Sequence, residues 1–587
     1  MSCGDHECSS TISDEPPGCT GTDGDPPAGT RQQDDTAAQG HSDIIAAPSW
    51  HYAQMSPDAV VVGGGHHGLV AATVLAEAGW DVCLLEATDR VGGAVRSAQL
   101  RAGYVTDLYS AFYPLTAVSP VLRSLRLHEH GLRWSHAPAV LAHPPKPDAN
   151  AAAVLHRDPT DTAAELAAEH PADGKAWLAL VEQWQHMREP VLRSLFTAFP
   201  PVRGPAELLR TLGAAGALRL ARFLALPARR MGHELFRGES GRLLLAGNAL
   251  HADVPVDAPV SGVYGWLLAM LGQDVGFPVP AGGAGELAGA LARRAQAAGA
   301  QLCTGQRVEH IDVAGGRAVG VRTATGLTVR ARRAVIADVS APSLYLDLLA
   351  PHTVPAALRE DLGRFQWDSP VVKVNWALDA PIPWRAPGVR GAGTVHLGCD
   401  EQQMAHWCAD IENATIPRTP FLLVGQMTTA DASRSPSGTE SAWAYTHLPR
   451  GVSDDQSADL LAQRVEEVME RFAPGFSTRV LQRNVQRPSE LHRADANLRH
   501  GAVGGGTAQL HQQLMFRPVP GLGRAETPVP GLYLGSAAAH PGGGVHGVCG
   551  WLAARAALAD QGALGGLRRR LTSAAMELLY RSERHPR

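Results

Sequence analysis

Apolar positions in this chain recur either in short unbroken runs or at helical spacing, and the order of the two kinds of pattern carries the first information. Ala59 to Val62 is a continuous, largely β-branched run ending in Gly63, as expected of a parallel strand buried on both faces and delivered into a tight turn. From Leu69 to Ala78 the apolar residues follow a helical period that Gly79 stops, and Asp81 to Leu85 reads as a second strand. Residues 159–275 are mainly helical in pattern, with Leu208, Leu209, Leu212, Leu218, Leu220 and Leu224 interrupted by Arg210, Arg219 and Arg222. Core is the default reading of that block; an apolar tunnel wall or a lipid-facing surface is the alternative, since arginine stems can snorkel.

An alanine-rich helix follows over residues 282–298. Segments 301–304, 308–313, 318–323 and 328–332 then alternate as strands joined by turns at Gly315-Gly316 and Gly326, predicting a small β-layer. Ala334 to Asp338 reads as a strand returning to the first sheet. Residues 368–485 are mixed and open with the strand Val371 to Leu378. A last strand, within 529–536, precedes a helix running through Asp560.

The join between the first strand and the first helix holds Gly63, Gly65 and Gly68, spaced Gly-x-Gly-x-x-Gly, with His66 and His67 at the variable positions. The first glycine permits the turn, the second lets backbone approach a pyrophosphate, and the third lets helix and strand pack closely, so phosphate is expected at the helix N-terminus. Glu86, closing the second strand about twenty residues on, stands where a carboxylate accepts ribose hydroxyls. Ala87, Arg90, Gly92, Gly93 and Ala94 follow directly. The paired glycines let backbone pass beside a second piece of the same ligand, and Arg90 can offset pyrophosphate charge, although a solvated surface arginine is the simpler account of it. Together these features predict an adenine dinucleotide on an α/β, Rossmann-like fold.

With the Arg90 to Ser97 run included, the chain resembles the FAD flavoproteins that contain phytoene desaturases, retinol saturases and, more distantly, amine oxidases. The far segment strengthens the resemblance: Gly535-Ser536, then His540-Pro541-Gly542-Gly543-Gly544-Val545-His546-Gly547, is similar to the desaturase branch. It is most similar to the group called pyridine nucleotide-disulfide oxidoreductase domain-containing protein 2, as are Gly65-His66-His67-Gly68 and Phe516 to Gly521. The resemblance implies FAD as cofactor. It also implies that Gly535, Ser536, Pro541, Gly543, Gly544 and Val545 lie along the ribityl chain and flavin ring, with a helix N-terminus facing the ring edge that becomes negative on reduction. Val308 is implied as a main-chain contact to adenine. His67 stands where the family has asparagine, and Ser536 where many relatives have an acid.

The implied architecture is a Rossmann-like FAD-binding domain of the glutathione-reductase and amine-oxidase type, interleaved with a mixed α+β substrate domain. The FAD-binding parts are expected at 57–145, 276–345 and 491–587, the last with a basic tail; the substrate domain comprises a helical part, 146–275, and a sheet part, 346–490. Residues 1–56 carry nine acids against one arginine and are rich in Asp, Gly, Pro, Ser and Thr, so they are expected to form a disordered acidic leader without signal or presequence character. Removing that segment's charge of −8 from the total of −5 leaves the rest near +3, which predicts no nucleic-acid partner. The longest charge-free apolar stretches, such as Ala258 to Gln273 and Thr527 to Ala554, are too short or too rich in glycine and proline to span a bilayer. A cytoplasmic setting is expected, with peripheral membrane contact as a second reading supported by Arg568 to Arg570, Arg581, Arg584 and Arg587.

Eight cysteines are scattered, three of them in the leader, so a dithiol reductase is not expected; a second nucleotide motif is also missing. Twenty-five histidines form no metal-ligand spacing, and no metal is expected. Lys373 stands out because the chain has three lysines against 49 arginines, and strand alternation places it on one face with Asn375. In amine oxidases a lysine on a similarly placed strand reaches flavin N5 through water, which makes Lys373 the one catalytic candidate; a strand lysine pointing outward is the alternative. Asp107 likewise resembles a family position on the substrate side of the flavin, or is a strand-end turn residue.

The expected activity is an FAD-dependent oxidoreductase of the phytoene-desaturase type. It would transfer hydride between flavin N5 and an apolar, polyene or isoprenoid-like substrate, with an electron acceptor the sequence does not identify. Two alternatives stand beside it. One is a flavin amine oxidase, which the 5% aromatic content mildly opposes because an aromatic cage is then needed; the other is a flavin-bearing scaffold with little turnover.

Overall fold

The computed structural model describes residues 56–580; the acidic leader and the arginines at 581, 584 and 587 lie outside them. Five parallel strands form the central sheet in the order Leu532–Leu534, Ala334–Ala337, Ala59–Val62, Val82–Leu85, Gln301–Cys303. Their apolar runs are unbroken because both faces are covered. Ala59, Val61, Leu84 and Ile336 belong to a core shared with helices His66–Glu77, Ala284–Ala297 and Val548–Gln561. Val60, Val62, Leu85 and Val335 face the other way, into a core shared with the antiparallel sheet Val308–Ala314, Arg317–Thr323, Thr328–Arg330.

One boundary of the expected β-layer changes. Gln301–Cys303 does not join the small sheet but extends the parallel one beside Val82–Leu85. As an edge strand it is half exposed, and its alternation therefore resembled that of the antiparallel strands that follow.

A second sheet has seven strands in the order Val480–Gln486, Val371–Leu378, Glu440–His447, Leu422–Gln426, Ala392–Leu397, Ala139–His143, Ala153–Leu155. The chain therefore leaves the parallel sheet for this one and returns to it twice. The two faces of the second sheet differ in kind. Val372, Val374, Trp376, Val395, Val424 and Ala444 pack on helix Asp455–Phe472 through Leu461, Val465 and Val468. On the opposite face, register aligns His396, Leu423, Tyr445 and Lys373 in one row and Thr394, Gly425, Trp443 and Asn375 in the next. Apart from the half-buried Tyr445, both rows are buried. Gly425 is required there, because a Cβ would overlap the Trp443 indole. A buried face that carries lysine, asparagine, threonine and histidine is costly as packing alone, and marks the wall of a site.

The helical block comprises Pro159–Glu169, Pro171–Leu195, Arg203–Ala225, Ala228–Leu235, Glu239–Ala249 and Ser261–Asp274. Trp177, Trp184, Leu244 and Trp266 are fully buried, as core requires. Helix Arg203–Ala225 departs from that expectation: only Gly204 and Leu220 are buried, and Leu209 and Leu218 are 52% and 73% exposed. Its leucines are spread around the helix rather than gathered on one stripe, and Gly213 interrupts its regular backbone. Among the described residues no helix is long and apolar enough to cross a membrane.

Candidate functional site

Gly63 turns the chain at φ +97°, and Gly65 caps helix His66–Glu77 without a side-chain hydrogen bond. A Cβ on Gly68 would overlap the Gly63 carbonyl, and one on Gly65 would sit 2.6 Å from Asp338 Oδ2. The Gly68 amide donates to Asp338 (2.8 Å) and the Leu69 amide to the Gly65 carbonyl. The His66 amide faces the Gly92 carbonyl across a parallel bridge, and the His67 amide has no acceptor among the described residues, so the positive end of the helix presents an unused donor.

The paired glycines lie directly against this loop. Gly92 donates to the Gly64 carbonyl at 2.8 Å, and a Cβ on Gly93 would be 3.0 Å from Gly65 Cα. Gly63, Gly65, His66, Ala87, Gly93 and Ala94 keep partial exposure, while Gly543 and Gly544 are open. His66 Nε2 lies 3.3 Å from the Gly544 carbonyl, which brings the two ends of the chain to one crevice. Backbone-only walls, an unused amide at a helix end and an acid at the neighbouring strand end fit a dinucleotide.

That acid is Glu86, buried at the end of Val82–Leu85. Its carboxylate accepts from the Gly64 amide and from the amide and hydroxyl of Thr88, each at 2.8 Å, tying the two loops together. A carboxylate has about four acceptor positions, so one remains beyond these three. Of the two arginines that follow Glu86, one is turned outward and one inward. Arg90 points outward beside Asp89 with its side chain 63% exposed, whereas Arg96 is mostly buried, donates to Thr88 Oγ1 and lies 3.8 Å from Glu86.

Two further acids, invisible as site residues in the sequence, close the crevice. Asp338 sits at the end of Ala334–Ala337, and burial, with Asp495 and Glu86 adding repulsion, pushes its carboxyl up to about 8. Asp495 is also raised by burial, and its Oδ2 would be 3.6 Å from a Cβ on Gly93. A neutral Asp338 can stand beside a pyrophosphate; an ionised one repels it. Because its folded pKa lies above the unfolded value of 3.8, the stability it contributes is complete below about pH 4 and is lost as pH rises through about 8. Cofactor retention is expected to weaken over the upper part of that range, between pH 7 and 9. Asp338→Asn, which still accepts from Gly68, should flatten the profile; flavin release against pH in the two proteins checks it.

At the other end, Gly535 donates to the Ala337 carbonyl at 2.8 Å and Ser536 is buried, its hydroxyl accepting from Ala538. Pro541 is half-buried, and the Val545 carbonyl accepts from Thr116. Val308 is the buried first residue of its strand, where only its main chain can serve a ligand. Helix Val548–Gln561 crosses His66–Glu77 so closely that a Cβ on Gly550 would overlap the His67 carbonyl. The role of Phe516 to Gly521 also becomes plain. Fully buried Arg517 donates to the carbonyls of Gly504, Gly505, Thr507 and Ala537, fastening one loop onto the other.

His67, His546 and Cys549 come within 4.8 Å of one another, a grouping that no sequence spacing indicated. His546 is already engaged on both sides, its Nδ1 accepting from the Val548 amide and its Nε2 facing the Gly542 carbonyl. With two positive helix ends beside it, this trio reads as lining of the crevice rather than as ligands for a cation.

Lys373 points inward, which overturns the outward alternative. It is 3% exposed, its Nζ donates to the Asp107 carbonyl, and it lies 5.1 Å from the centre of the Trp443 ring. Burial lowers its ammonium to about 7, with Asp107 opposing the shift and Arg434 adding to it. The Asp107 carboxylate takes no part in holding it: Oδ2 accepts from both terminal nitrogens of Arg434 at 3.0 Å, and Oδ1 from Ser97 and the Ala284 amide at 2.7 Å. Trp443 stacks on Tyr445 at 5.9 Å and meets Phe112 at 6.0 Å. Aromatic side chains are scarce overall yet gathered here, so overall composition understated the aromatic character of this face.

Residues 68–558 match the family described as flavin containing amine oxidoreductase. The chain is 28% identical over 561 residues to the rat protein named pyridine nucleotide-disulfide oxidoreductase domain-containing protein 2, covering 86% of this chain and 93% of the relative. It is 25% identical over 525 residues to a phytoene desaturase (neurosporene-forming) of Rhodobacter capsulatus, covering 84% and 92%. Among solved structures, putrescine oxidase bound to putrescine superposes with TM-score 0.55 at 18% identity, covering 86% of this chain and 98% of that one. Cyclohexylamine oxidase of Brevibacterium oxydans does so with TM-score 0.52 at 16% identity, covering 86% and 98%; these likenesses concern the fold.

Proposed function

From the premise that this chain belongs to the flavin containing amine oxidoreductase family, and is therefore an FAD-dependent oxidoreductase, we propose that its substrate is an extended apolar molecule of polyene or isoprenoid kind. When bound, FAD supplies a two-electron centre that exchanges hydride with carbon at N5. The chain's own contribution is to grip the cofactor through Gly63 to Gly68, Glu86, Gly92, Gly93 and the 535–547 loop, and to lay the substrate along the inner face of the seven-stranded sheet.

One observation carries the substrate class. The inner face offers Trp443, Tyr445 and Phe112 as walls, while the carboxylates of Asp107 and Asp253 are committed elsewhere. Asp107 is paired with Arg434, and Asp253 accepts from Arg450, Thr507 and the Ala508 amide. A protonated amine beside Lys373 would find the Asp107 carboxylate already taken. An apolar chain loses nothing by that arrangement. With a pKa near neutrality, Lys373 Nζ can give up or take a proton at working pH. Lys373→Met is accordingly expected to slow turnover or reoxidation by oxygen on the order of a hundredfold while leaving flavin content unchanged. Unchanged rates in stopped-flow mixing would remove Lys373 from the mechanism.

The stacked Trp443 and Tyr445 favour a second reading, a flavin amine oxidase, because such a pair can also cage an amine. Anaerobic mixing of the flavin-loaded protein with a polyene, with putrescine or cyclohexylamine, and with NADPH separates the cases. Bleaching of the oxidised flavin by the polyene alone is the expected result. Bleaching by an amine alone would establish the second reading, and bleaching by none would favour a scaffold with little turnover.

A further inference from the structure

The last helix among the described residues, Gly565–Tyr580, is fastened to the body by one face only. Met576 is buried in the core that the parallel sheet shares with the small antiparallel one, and the Tyr580 hydroxyl donates to the Pro520 carbonyl. Leu579 covers Gly521. Arg568 bridges Asp560 and Glu526, and Arg569 donates to the Asp560 carbonyl. These contacts hold the helix at the end of Val548–Gln561, whose own start borders the cofactor crevice.

The opposite face carries Leu567, Leu571, Ala574 and Leu578, at the alternating spacing of four, three and four that keeps apolar residues on one straight seam. Leu567, Leu571 and Leu578 are 59%, 64% and 74% exposed, and Ala574 is exposed with them. A surface helix turns such a seam toward the core; this one turns it to solvent. Arg570 and Glu577 stand on one flank of the seam, a heptad apart, and both are exposed. Neither side chain has an ion-pair or hydrogen-bond partner among the described residues.

That placement of charge selects what covers the seam. A lipid surface calls for a flank rich in lysine and arginine, whereas Arg568 and Arg569 are engaged with Asp560 and Glu526, and an acid shares the flank with Arg570. A second copy of the same helix fits instead. With a twofold axis crossing between Thr572 and Ser573, an antiparallel partner sets Leu571 against the partner's Ala574 and Leu567 against the partner's Leu578. Arg570 then lies beside the partner's Glu577, and symmetry repeats the pair. A parallel partner would set Arg570 against the partner's Ala575, with no charge to meet.

We infer that this protein forms a homodimer through its Gly565–Tyr580 helices, packed antiparallel, with the leucines in the seam and two Arg570–Glu577 pairs beside it. Helices about 24 Å long bury less than the roughly 1,200 Å² of a standard interface, so a dissociation constant on the order of micromolar is expected.

Sedimentation velocity of the FAD-loaded full chain, from about 1 to about 100 µM, tests it. The mass is expected to rise from monomer to dimer across that range. Leu571→Glu should keep it monomeric throughout with flavin content unchanged, because that side chain is exposed in the single chain. Arg570→Glu and Glu577→Arg should each weaken association about tenfold or more, since each puts two like pairs in place of two opposite ones. Mixed in equal amounts, the two charge variants should associate as the unaltered protein does, because the mixed dimer regains both pairs. A monomer at every concentration, a dimer that Leu571→Glu leaves intact, or charge variants that do not recover on mixing overturns the inference. So does binding of a monomer to phosphatidylglycerol vesicles that Leu571→Glu abolishes, which would give the seam to a membrane.

Discussion

Gly65→Val is expected to give a folded, colourless protein whose affinity for FAD has fallen by two orders of magnitude or more, equivalent to roughly 3 kcal/mol. The glycine caps the dinucleotide helix with its backbone alone, and Gly93 Cβ-less backbone closes on it from the other side. Any side chain at 65 points toward Asp338, with the first carbon at 2.6 Å from its carboxyl oxygen, and occupies the approach to the positive end of the helix. The strands on either side are not touched, so a thermal unfolding midpoint close to that of the flavin-stripped parent should accompany the loss. The ratio of flavin to protein absorbance after purification, repeated after incubation with excess FAD, is the deciding measurement. A yellow, stoichiometrically loaded variant would mean that the cofactor does not pass this loop.

Arg434→Leu should produce the largest loss of stability, about 3–5 kcal/mol by urea unfolding, because it removes one partner of a fully buried ion pair and leaves the other charged. Arg434 and Asp107 are both inaccessible to solvent, and the guanidinium also bonds Asp431 at 3.0 Å. Through Asp107 the pair reaches Ser97 and the start of helix Ala284–Ala297; through Asp431 it reaches the Gly282 amide. Three separate stretches of chain meet at one guanidinium. Pairing Arg434→Leu with Asp107→Asn should recover part of the deficit, since the second change neutralises the stranded carboxylate. An additive double variant would show that the two side chains do not depend on each other.

The cofactor half of the fold was legible in the sequence because its determinants are local. A strand, three glycines, a helix and an acid fall within thirty residues, and the grip they form uses backbone, for which spacing is sufficient. Asp338 and Asp495 were not legible as site residues, since each reaches the glycine loops from a strand end or turn hundreds of residues away. The opposite orientations of Arg90 and Arg96 have the same origin: both follow Glu86, and only the turn between them decides which guanidinium faces inward. Alternation grouped Lys373 with Asn375 but did not say which face of that strand is covered; that depends on helix Asp455–Phe472 taking the other face.

The placement of strand Leu532–Leu534 in the parallel sheet has a consequence for shortened chains. It is the last strand among the described residues, yet it pairs directly with Ala334–Ala337 and carries the loop that completes the crevice. A chain cut before Leu532 is therefore expected to purify without the flavin group.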